Sequence, residues 1–278
     1  MKNEVYYQRL IHFFQIVFYL AIAWAPAPYA LAQVMNRQPS KTKATPATPA
    51  YRLAVGAGVQ IADSIYVGKK STLSPVPLLD FRWGRFATTG YTADYTWDLG
   101  PLKLGPALAY GPAPYKNKDS IVFKGLEEKR PALLGGIVFR TSILTTNLEW
   151  HMRTKTWGEG GPSSSLKLKK SLVFAIDAPE HILTFSPTVS LTALSDKETQ
   201  YQYGVKASEA DPSLNRGTYA PKVGVIASPE GELAYIFNQH LVFVVTYKHS
   251  FFSDSIVNSP LVDKQSSHSL FGGITYKL

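Results

Sequence analysis

Five polar side chains at a two-residue spacing form the row most able to do chemistry: Asn147, Glu149, His151, Arg153 and Lys155. Alternate residues of a β-strand point to one face, so a strand here would place this row opposite Trp150 and Met152. Charged groups in the wall of a pore select which ions or solutes pass. Glu149 and Arg153 stand about 13 Å apart along a strand, so only residues of neighbouring strands can pair with them. The row therefore predicts a polar lumen wall, which is either an open selective path or a plug of ion pairs.

Catalytic and metal-binding patterns are weak in this chain. A Ser–His nucleophile could be sought at His249-Ser250 or His268-Ser269, but adjacent residues of a strand face opposite sides. The six histidines show neither a His-x-His nor a His-x-x-x-His spacing, and the chain has no cysteine. We therefore expect no enzyme, no metal and no cofactor.

The elements that must position the polar row are strands with a strict period of two. From Leu183 to Ala193 every odd residue is apolar, and every even residue carries a hydroxyl. Comparable alternation recurs at 53–61, 91–97, 102–110, 144–153 and 166–176. A soluble sandwich or a lipocalin-type barrel would also alternate. The polar face of 183–193 carries no charge, which favours a crowded lumen and thus a closed transmembrane antiparallel β-barrel.

The breaks between strands differ in length and set the strand number. Short turns are predicted at 83–85, 98–101, 178–180 and 238–239, and long loops at 63–72, 111–130, 157–163, 195–219 and 252–266. About eleven strands can be counted, whereas bacterial barrels of one chain have an even number. We predict twelve strands, with ten as the alternative, and place the miscounted strand within 63–100.

The N-terminus predicts export. Lys2 and Arg9 precede an apolar run, and Ala30-Leu31-Ala32 resembles a cleavage site, so residues 1–32 are predicted to be a signal peptide. Residues 33–50 are rich in Pro, Ala and Thr and predict a disordered leader. Residues 51–278 then form the barrel. The net charge of +9 is scattered and the chain is exported, so we expect anionic lipopolysaccharide of the outer-membrane lipid, a wall polymer or an acidic protein as a partner, rather than nucleic acid.

The end of the chain resembles the signal that the barrel-assembly machinery reads on outer-membrane proteins. Its residues are Gly273, Tyr276 and Leu278, on a strand that reaches the terminus. We therefore expect the assembly machinery as a partner and the last strand as the one that closes the barrel. The usual last residue of the signal is Phe, so Leu278 is a variant.

Seven segments, in order, resemble the MipA/OmpV family of MltA-interacting outer-membrane proteins. They are Gly56-Ala57-Gly58-Val59, Tyr66-Val67-Gly68, Pro75-Val76-Pro77, Lys124-Gly125-Leu126, Tyr203-Gly204-Val205, Tyr219-Ala220-Pro221 and Ser259-Pro260-Leu261-Val262. The long leader, the terminal Leu278 and the basic balance depart from the family pattern. The resemblance implies an outer-membrane barrel without established catalytic residues.

For the best-known members the resemblance further implies a scaffold that links a lytic transglycosylase to a murein synthase. Other members are porin-like or adhesive surface proteins. The leading hypothesis is therefore a non-enzymatic outer-membrane scaffold in cell-wall remodelling, and the alternative is a porin-like channel or a surface-loop binder.

Overall fold

The computed structural model describes residues 51–143, 146–157, 160–176, 178–237 and 240–278. The predicted signal peptide (1–32) and leader (33–50) lie outside the described residues, as does the predicted turn at 238–239.

One antiparallel sheet contains the fourteen strand segments of the described chain. They are β1 (Tyr51–Ala62), β2 (Thr72–Trp83), β3 (Phe86–Thr89), β4 (Thr92–Tyr95), β5 (Trp97–Leu99), β6 (Leu102–Gly111), β7 (Ala132–Ile143), β8 (Thr146–Trp157), β9 (Ser163–Lys170), β10 (Leu172–Ile176), β11 (Ala178–Leu194), β12 (Gly224–Phe237), β13 (Leu241–Phe252) and β14 (Ser266–Lys277). Apart from β4–β5 and β9–β10, neighbours along the chain pair with each other, and β14 pairs with β1, so the sheet closes into a barrel.

Two pairs of segments are interrupted strands. Both β4 and β5 pair with β6, and they are separated only by Thr96. Both β9 and β10 pair with β11, and they are separated only by Ser171. Fourteen segments less two continuations give twelve strands, as predicted from the sequence. The strand missing from the sequence count is β3, which lies within 63–100 and is only four residues long.

The period of two places apolar side chains outside and polar side chains inside. On β11, Ser186 and Thr188 are buried in the barrel, whereas Leu191 is exposed on its outer surface. Lipid rather than water surrounds an outer-membrane barrel, so exposed apolar rows are stable there. Closure also pairs the backbone polar groups that a hydrocarbon environment cannot satisfy.

The two ends of the barrel differ. Strands β2, β5, β7, β10 and β12 end where β1 begins and β14 ends, and the next strand starts at most four residues later in each case, so we call this the short-turn end. The long connections 63–71, 112–131, 195–223 and 253–265 leave the other end, which by the usual asymmetry of bacterial barrels faces outward. The turn predicted at 178–180 is wrong, because these residues begin β11. The connections contain helices α1 (Asp196–Tyr203) and α2 (Asp254–Val257), and no described helix is long and apolar enough to cross a membrane.

Glycines permit close packing at the β14–β1 seam. A Cβ on Gly56 would collide with the carbonyl oxygen of Ile274 on β14. Inside the barrel, the ring of Phe271 covers Gly58 and Gly273, where a Cβ would displace it. The close packing of the seam therefore requires small residues on both strands.

Gly56→Ala should destabilise the barrel by about 1–3 kcal/mol, because the methyl group must push the two seam strands apart. The free energy of unfolding in urea, measured in detergent or lipid vesicles, tests this expectation. Gly272→Ala is the matched control, since Gly272 lies in the same seam and a Cβ there meets nothing within 4 Å. Equal stability of the two variants would contradict the steric account.

Candidate functional site

The structure places the predicted polar row of β8 on the face opposite Met152. Met152 is 48% exposed on the outside, whereas His151 is only 8% exposed. Ser142 donates a hydrogen bond to the Asn147 side chain at 2.7 Å. The side chain of Lys155 lies outside the described residues, and its backbone pairs opposite Leu134.

Inside the barrel, His151 contacts both Glu149 and Arg153. The Glu149 carboxylate contacts His151 Nε2, and Arg153 Nη2 lies 3.2 Å from His151 Nδ1. The residues therefore form a continuous polar chain along β8. Their role in lining a path for solutes remains a prediction.

Arg140 of β7 joins this row to the neighbouring strands. Its guanidinium donates two hydrogen bonds to Asp94 of β4, at 2.8 and 3.0 Å, and one to Glu149 at 2.8 Å. Asp94 is 8% exposed, and the bidentate guanidinium satisfies both of its carboxylate oxygens. Sequence reasoning missed both residues, because only the register of β4, β6, β7 and β8 brings them together.

A second set of ion pairs lies across the lumen-facing side of β11. Lys169 of β9 lies 2.8 Å from Glu232 of β12, and Lys167 lies 3.7 Å from Glu230. Lys248 of β13 is the registered neighbour of Glu230. Together with the first set, these residues form what we call the charged belt: Asp94, Arg140, Glu149, Lys167, Lys169, Glu230, Glu232 and Lys248.

The ion pairs of the charged belt suit a role in holding the strands together better than a role in conducting ions. Opposite charges at hydrogen-bond distance cancel most of each other's field at longer range. A solute in the lumen would have to displace these pairs or pass between them. This arrangement agrees with the plug of cross-strand ion pairs more than with an open selective wall.

A folded cap lies over the outer mouth of the barrel. Its buried apolar residues come from all four long connections and from the inner rim: Ile65, Tyr66, Tyr115, Val122, Phe123, Leu126, Leu194, Tyr203, Val205, Phe252, Ile256, Leu261 and Val262. Because the four connections leave the rim at points around the barrel, their common cluster must lie across the opening. Within it Tyr115 and Phe123 are stacked, with ring centroids 4.4 Å apart.

Arg216 ties the polar groups of the cap together. This residue is 3% exposed, and its guanidinium donates to the backbone carbonyls of Glu209 at 2.8 Å, Lys124 at 2.9 Å and Val122. The Glu209 carboxylate in turn accepts from the backbone N–H of Glu127 at 2.8 Å. The connections 112–131 and 195–223 are thereby held together by buried hydrogen bonds.

The cap was not predicted, although a signal for it was present in the sequence. Residues of the segments at 66–68, 124–126, 203–205 and 259–262, which carry the family resemblance, supply its buried core. Tyr219 packs against it. The apolar residues of these segments have neither a strand nor a helix period, so a periodicity analysis assigns them to loops.

The ion pair Lys69–Asp119, at 3.3 Å, links two connections of the cap and should make it acid-sensitive. Partial burial alone would raise the pKa of Asp119, but hydrogen bonds from Lys116 N–H and Lys69 hold this pKa below its ordinary value. A carboxyl with a lowered folded pKa stabilises the folded state above its unfolded pKa of about 3.9 and loses this contribution as pH falls below that value. We expect proteolysis within 112–131 to increase below about pH 4. Asp119→Asn should remove part of this pH dependence, and an unchanged profile would contradict the assignment.

The remaining predicted residues fall at separate places. Gly273 lies inside the β14–β1 seam, Tyr276 lies on the outer surface, and the Leu278 N–H donates to the carbonyl of Leu53 at 2.8 Å. Leu278 itself is exposed. Recognition of these residues by the assembly machinery remains a prediction.

The two Ser–His pairs do not form catalytic dyads within their strands. The rings of His249 and His268 lie side by side on the outer surface, with centroids 4.1 Å apart and planes tilted by 34°, whereas Ser250 is buried inside and hydrogen-bonds to Ser228 at 2.8 Å. Nucleophilic catalysis needs serine and histidine within hydrogen-bond reach. Among the described residues, no group of three or more His, Asp or Glu side chains could hold a metal ion.

The chain is similar in sequence to several named proteins. The MltA-interacting protein of Escherichia coli (strain K12) is 25% identical over 232 residues, covering 81% of this chain and 90% of that protein. The 24 kDa outer membrane protein of Pasteurella multocida (strain Pm70) is 24% identical, covering 77% of this chain and 86% of that protein.

Among solved structures, the NanC porin covers 82% of this chain and 100% of its own, with 10% identity and a TM-score of 0.37. OprD of Pseudomonas aeruginosa covers 83% of this chain and 67% of its own, with 12% identity and a TM-score of 0.35. The family model of the MltA-interacting protein MipA matches residues 55–278. Since this match spans nearly the whole barrel, the chain belongs to the MltA-interacting protein (MipA) family of outer-membrane proteins.

Proposed function

We propose that this protein is a non-enzymatic scaffold that binds a lytic transglycosylase at the periplasmic end of the barrel. The E. coli relative is named for its interaction with MltA. The observations that support the proposal are the cross-strand ion pairs inside the barrel and the buried apolar cluster of the outer connections, from which we infer that the lumen is closed. A barrel whose lumen is closed in this way acts through its surfaces. A murein enzyme in the periplasm would bind the periplasmic surface. A murein synthase would be a second partner at the same end.

The periplasmic rim carries exposed cations suited to an acidic partner. We define it by Arg52 of β1, Arg82 of β2, Arg85 of the β2–β3 turn and Lys103 of β6, all at the short-turn end. Asp80 lies within 3.6 Å of both Arg52 and Arg82, and Asp98 lies 3.1 Å from Lys103. Two acidic groups against four cations leave this set of described residues net positive. Exposed charges of this kind steer association and set partner choice.

Charge reversal of the rim should weaken transglycosylase binding. We expect Arg82→Glu/Arg85→Glu to raise the Kd about tenfold at low salt, because two attractive contacts become repulsive. The measurement is binding of purified lytic transglycosylase to the full-length protein in vesicles. Lys116→Glu/Lys118→Glu is the matched control, with the same charge change on exposed residues of the outer connection 112–131. A wild-type protein that retains no murein enzyme, or two variants with equal Kd, would contradict the proposal.

The alternative is a porin-like channel, and the polar lumen is the observation that favours it. The pairing of the charges and the cap over the outer mouth count against it. A surface-loop binder would use the cap, whose exposed residues belong to the long connections.

A further inference from the structure

The barrel wall is incomplete beside β2. β1 pairs with β2 along all twelve residues from Thr72 to Trp83, whereas β3 pairs only with Asp80–Trp83. Just above this short pairing, the Gly90 N–H donates to the Leu79 carbonyl at 2.9 Å. Within the described chain, the rest of this β2 edge has no strand partner.

Two prolines lie on the free edge, with their backbone nitrogens directed to it. The Leu79 carbonyl points toward the β3 side, and alternate residues of an antiparallel strand direct their N–H and C=O groups to the same side. Pro77 and Pro75 therefore face the free edge and contribute no N–H donor there. This edge resists pairing with another strand, while its carbonyls remain acceptors.

The free edge lies at the height of the lipid. The outward residues of β2 stay apolar up to Leu73, which is 71% exposed, and their β1 neighbours Val59 and Ile61 are also exposed. Unpaired backbone is tolerated at this depth only where it lines a cavity or is covered. The gap is thus a feature of the membrane-embedded wall.

The gap is bounded on all sides, and we call it the wall window. Its borders are β2 residues 72–79, the β3–β4 turn at 90–91 and the outer end of β6 at 109–111. Above it, the connections that leave β1 and β6 meet, since Lys69 Nζ donates to the Pro114 carbonyl at 3.1 Å and pairs with Asp119.

Among the described residues of β14, β1 and β2, none that faces inward behind the wall window is charged. Ser74, Val76 and Leu78 face inward from β2, and Leu78 and Phe271 pack around Gly273. The charged residues Arg52, Asp80 and Arg82 lie below the window, toward the short-turn end. The window therefore opens beside an uncharged and largely apolar part of the lumen.

We propose that the wall window admits the hydrocarbon chain of an outer-leaflet lipid into the uncharged part of the lumen behind it. Lipid surrounds both flanks of the window, and the cap closes the outer mouth of the barrel. An amphiphile would therefore enter the lumen sideways, from the membrane through the wall window. The edge carbonyls of Pro75 and Pro77 can accept hydrogen bonds from its headgroup or from water. This inference is independent of transglycosylase binding at the opposite end.

Site-specific fluorescence quenching tests the proposal on the full-length protein. The chain has no cysteine, so Val76→Cys and, as a second position, Ser74→Cys each give a unique site for a small fluorophore. The labelled proteins are placed in phosphatidylcholine vesicles with or without a nitroxide on the acyl chain. Leu73→Cys faces lipid and defines full quenching. Ser190→Cys faces inward from β11, which is paired with a strand on both sides. It defines the degree of quenching across an intact wall.

We expect Val76→Cys and Ser74→Cys to lose fluorescence nearly as much as Leu73→Cys, and clearly more than Ser190→Cys. Quenching no greater than at Ser190→Cys would overturn the proposal, because it would show that no acyl chain passes the wall. Quenching by aqueous iodide but not by the nitroxide lipid would also overturn it, since the window would then be filled with water. Heat-modifiable migration in gels verifies that each labelled barrel is folded.

Discussion

Arg140→Ala should lower the free energy of unfolding of the barrel by about 2–3 kcal/mol, the largest single effect we expect in the lumen. The substitution leaves Asp94 and Glu149 facing each other without the guanidinium that bridges them. A fully buried pair broken in this way costs about 3–5 kcal/mol, and the partial exposure of Arg140 and Glu149 reduces that cost. Urea unfolding in vesicles measures it.

Two further variants separate loss of pairing from loss of packing. Asp94→Asn/Arg140→Ala/Glu149→Gln should recover part of the lost stability, because no unpaired carboxylate remains. Lys103→Ala breaks the Lys103–Asp98 pair, in which both side chains are more than half exposed, and should cost less than about 1 kcal/mol. An Arg140→Ala effect no larger than that of Lys103→Ala would show that the charged belt does not stabilise the barrel.

Arg216→Ala should open the cap while leaving the barrel intact. The variant leaves the carbonyls of Val122, Lys124 and Glu209 without their common donor, at a cost of about 1–3 kcal/mol for each group that stays buried. Local opening is therefore favoured over a closed cap with unsatisfied acceptors. We expect proteinase K to cleave the connections 112–131 and 195–223 more than about tenfold faster than in the wild type.

The control for this variant is Lys222→Ala, an exposed cation in the same connection. Its cleavage rate should match that of the wild type. Retained heat-modifiable migration of Arg216→Ala would verify that the strands are unaffected. Slow cleavage in both variants would mean that Arg216 does not hold the cap together.

The period of two carried most of the fold prediction. It identified the outward rows on β1 and β11, because lipid and lumen impose opposite polarities on alternate residues. The strand that closes the barrel was indicated by the resemblance of the chain end to the assembly signal. It could not reveal β3, since four residues contain too little alternation to be distinguished from a turn. The start of β11 was also misplaced, because Pro179 in a strand resembles a turn residue.

The candidate site was less predictable than the fold. The row on β8 could be read from the sequence, but its partner Arg140 depends on the pairing of β7 with β8, and Asp94 depends on two further pairings. The cap depends on contacts between residues far apart in sequence, such as the antiparallel bridge between Tyr66 and Val262. Neither periodicity nor composition encodes such contacts.

Single-channel recording in planar lipid bilayers tests the central claim, that the protein is a barrel closed by its own charges and cap. With the purified full-length protein inserted, we predict no stepwise conductance in the wild type. Regular conductance steps whose size changes in Arg153→Ala would contradict the claim, because they would show that ions travel along the polar row of β8.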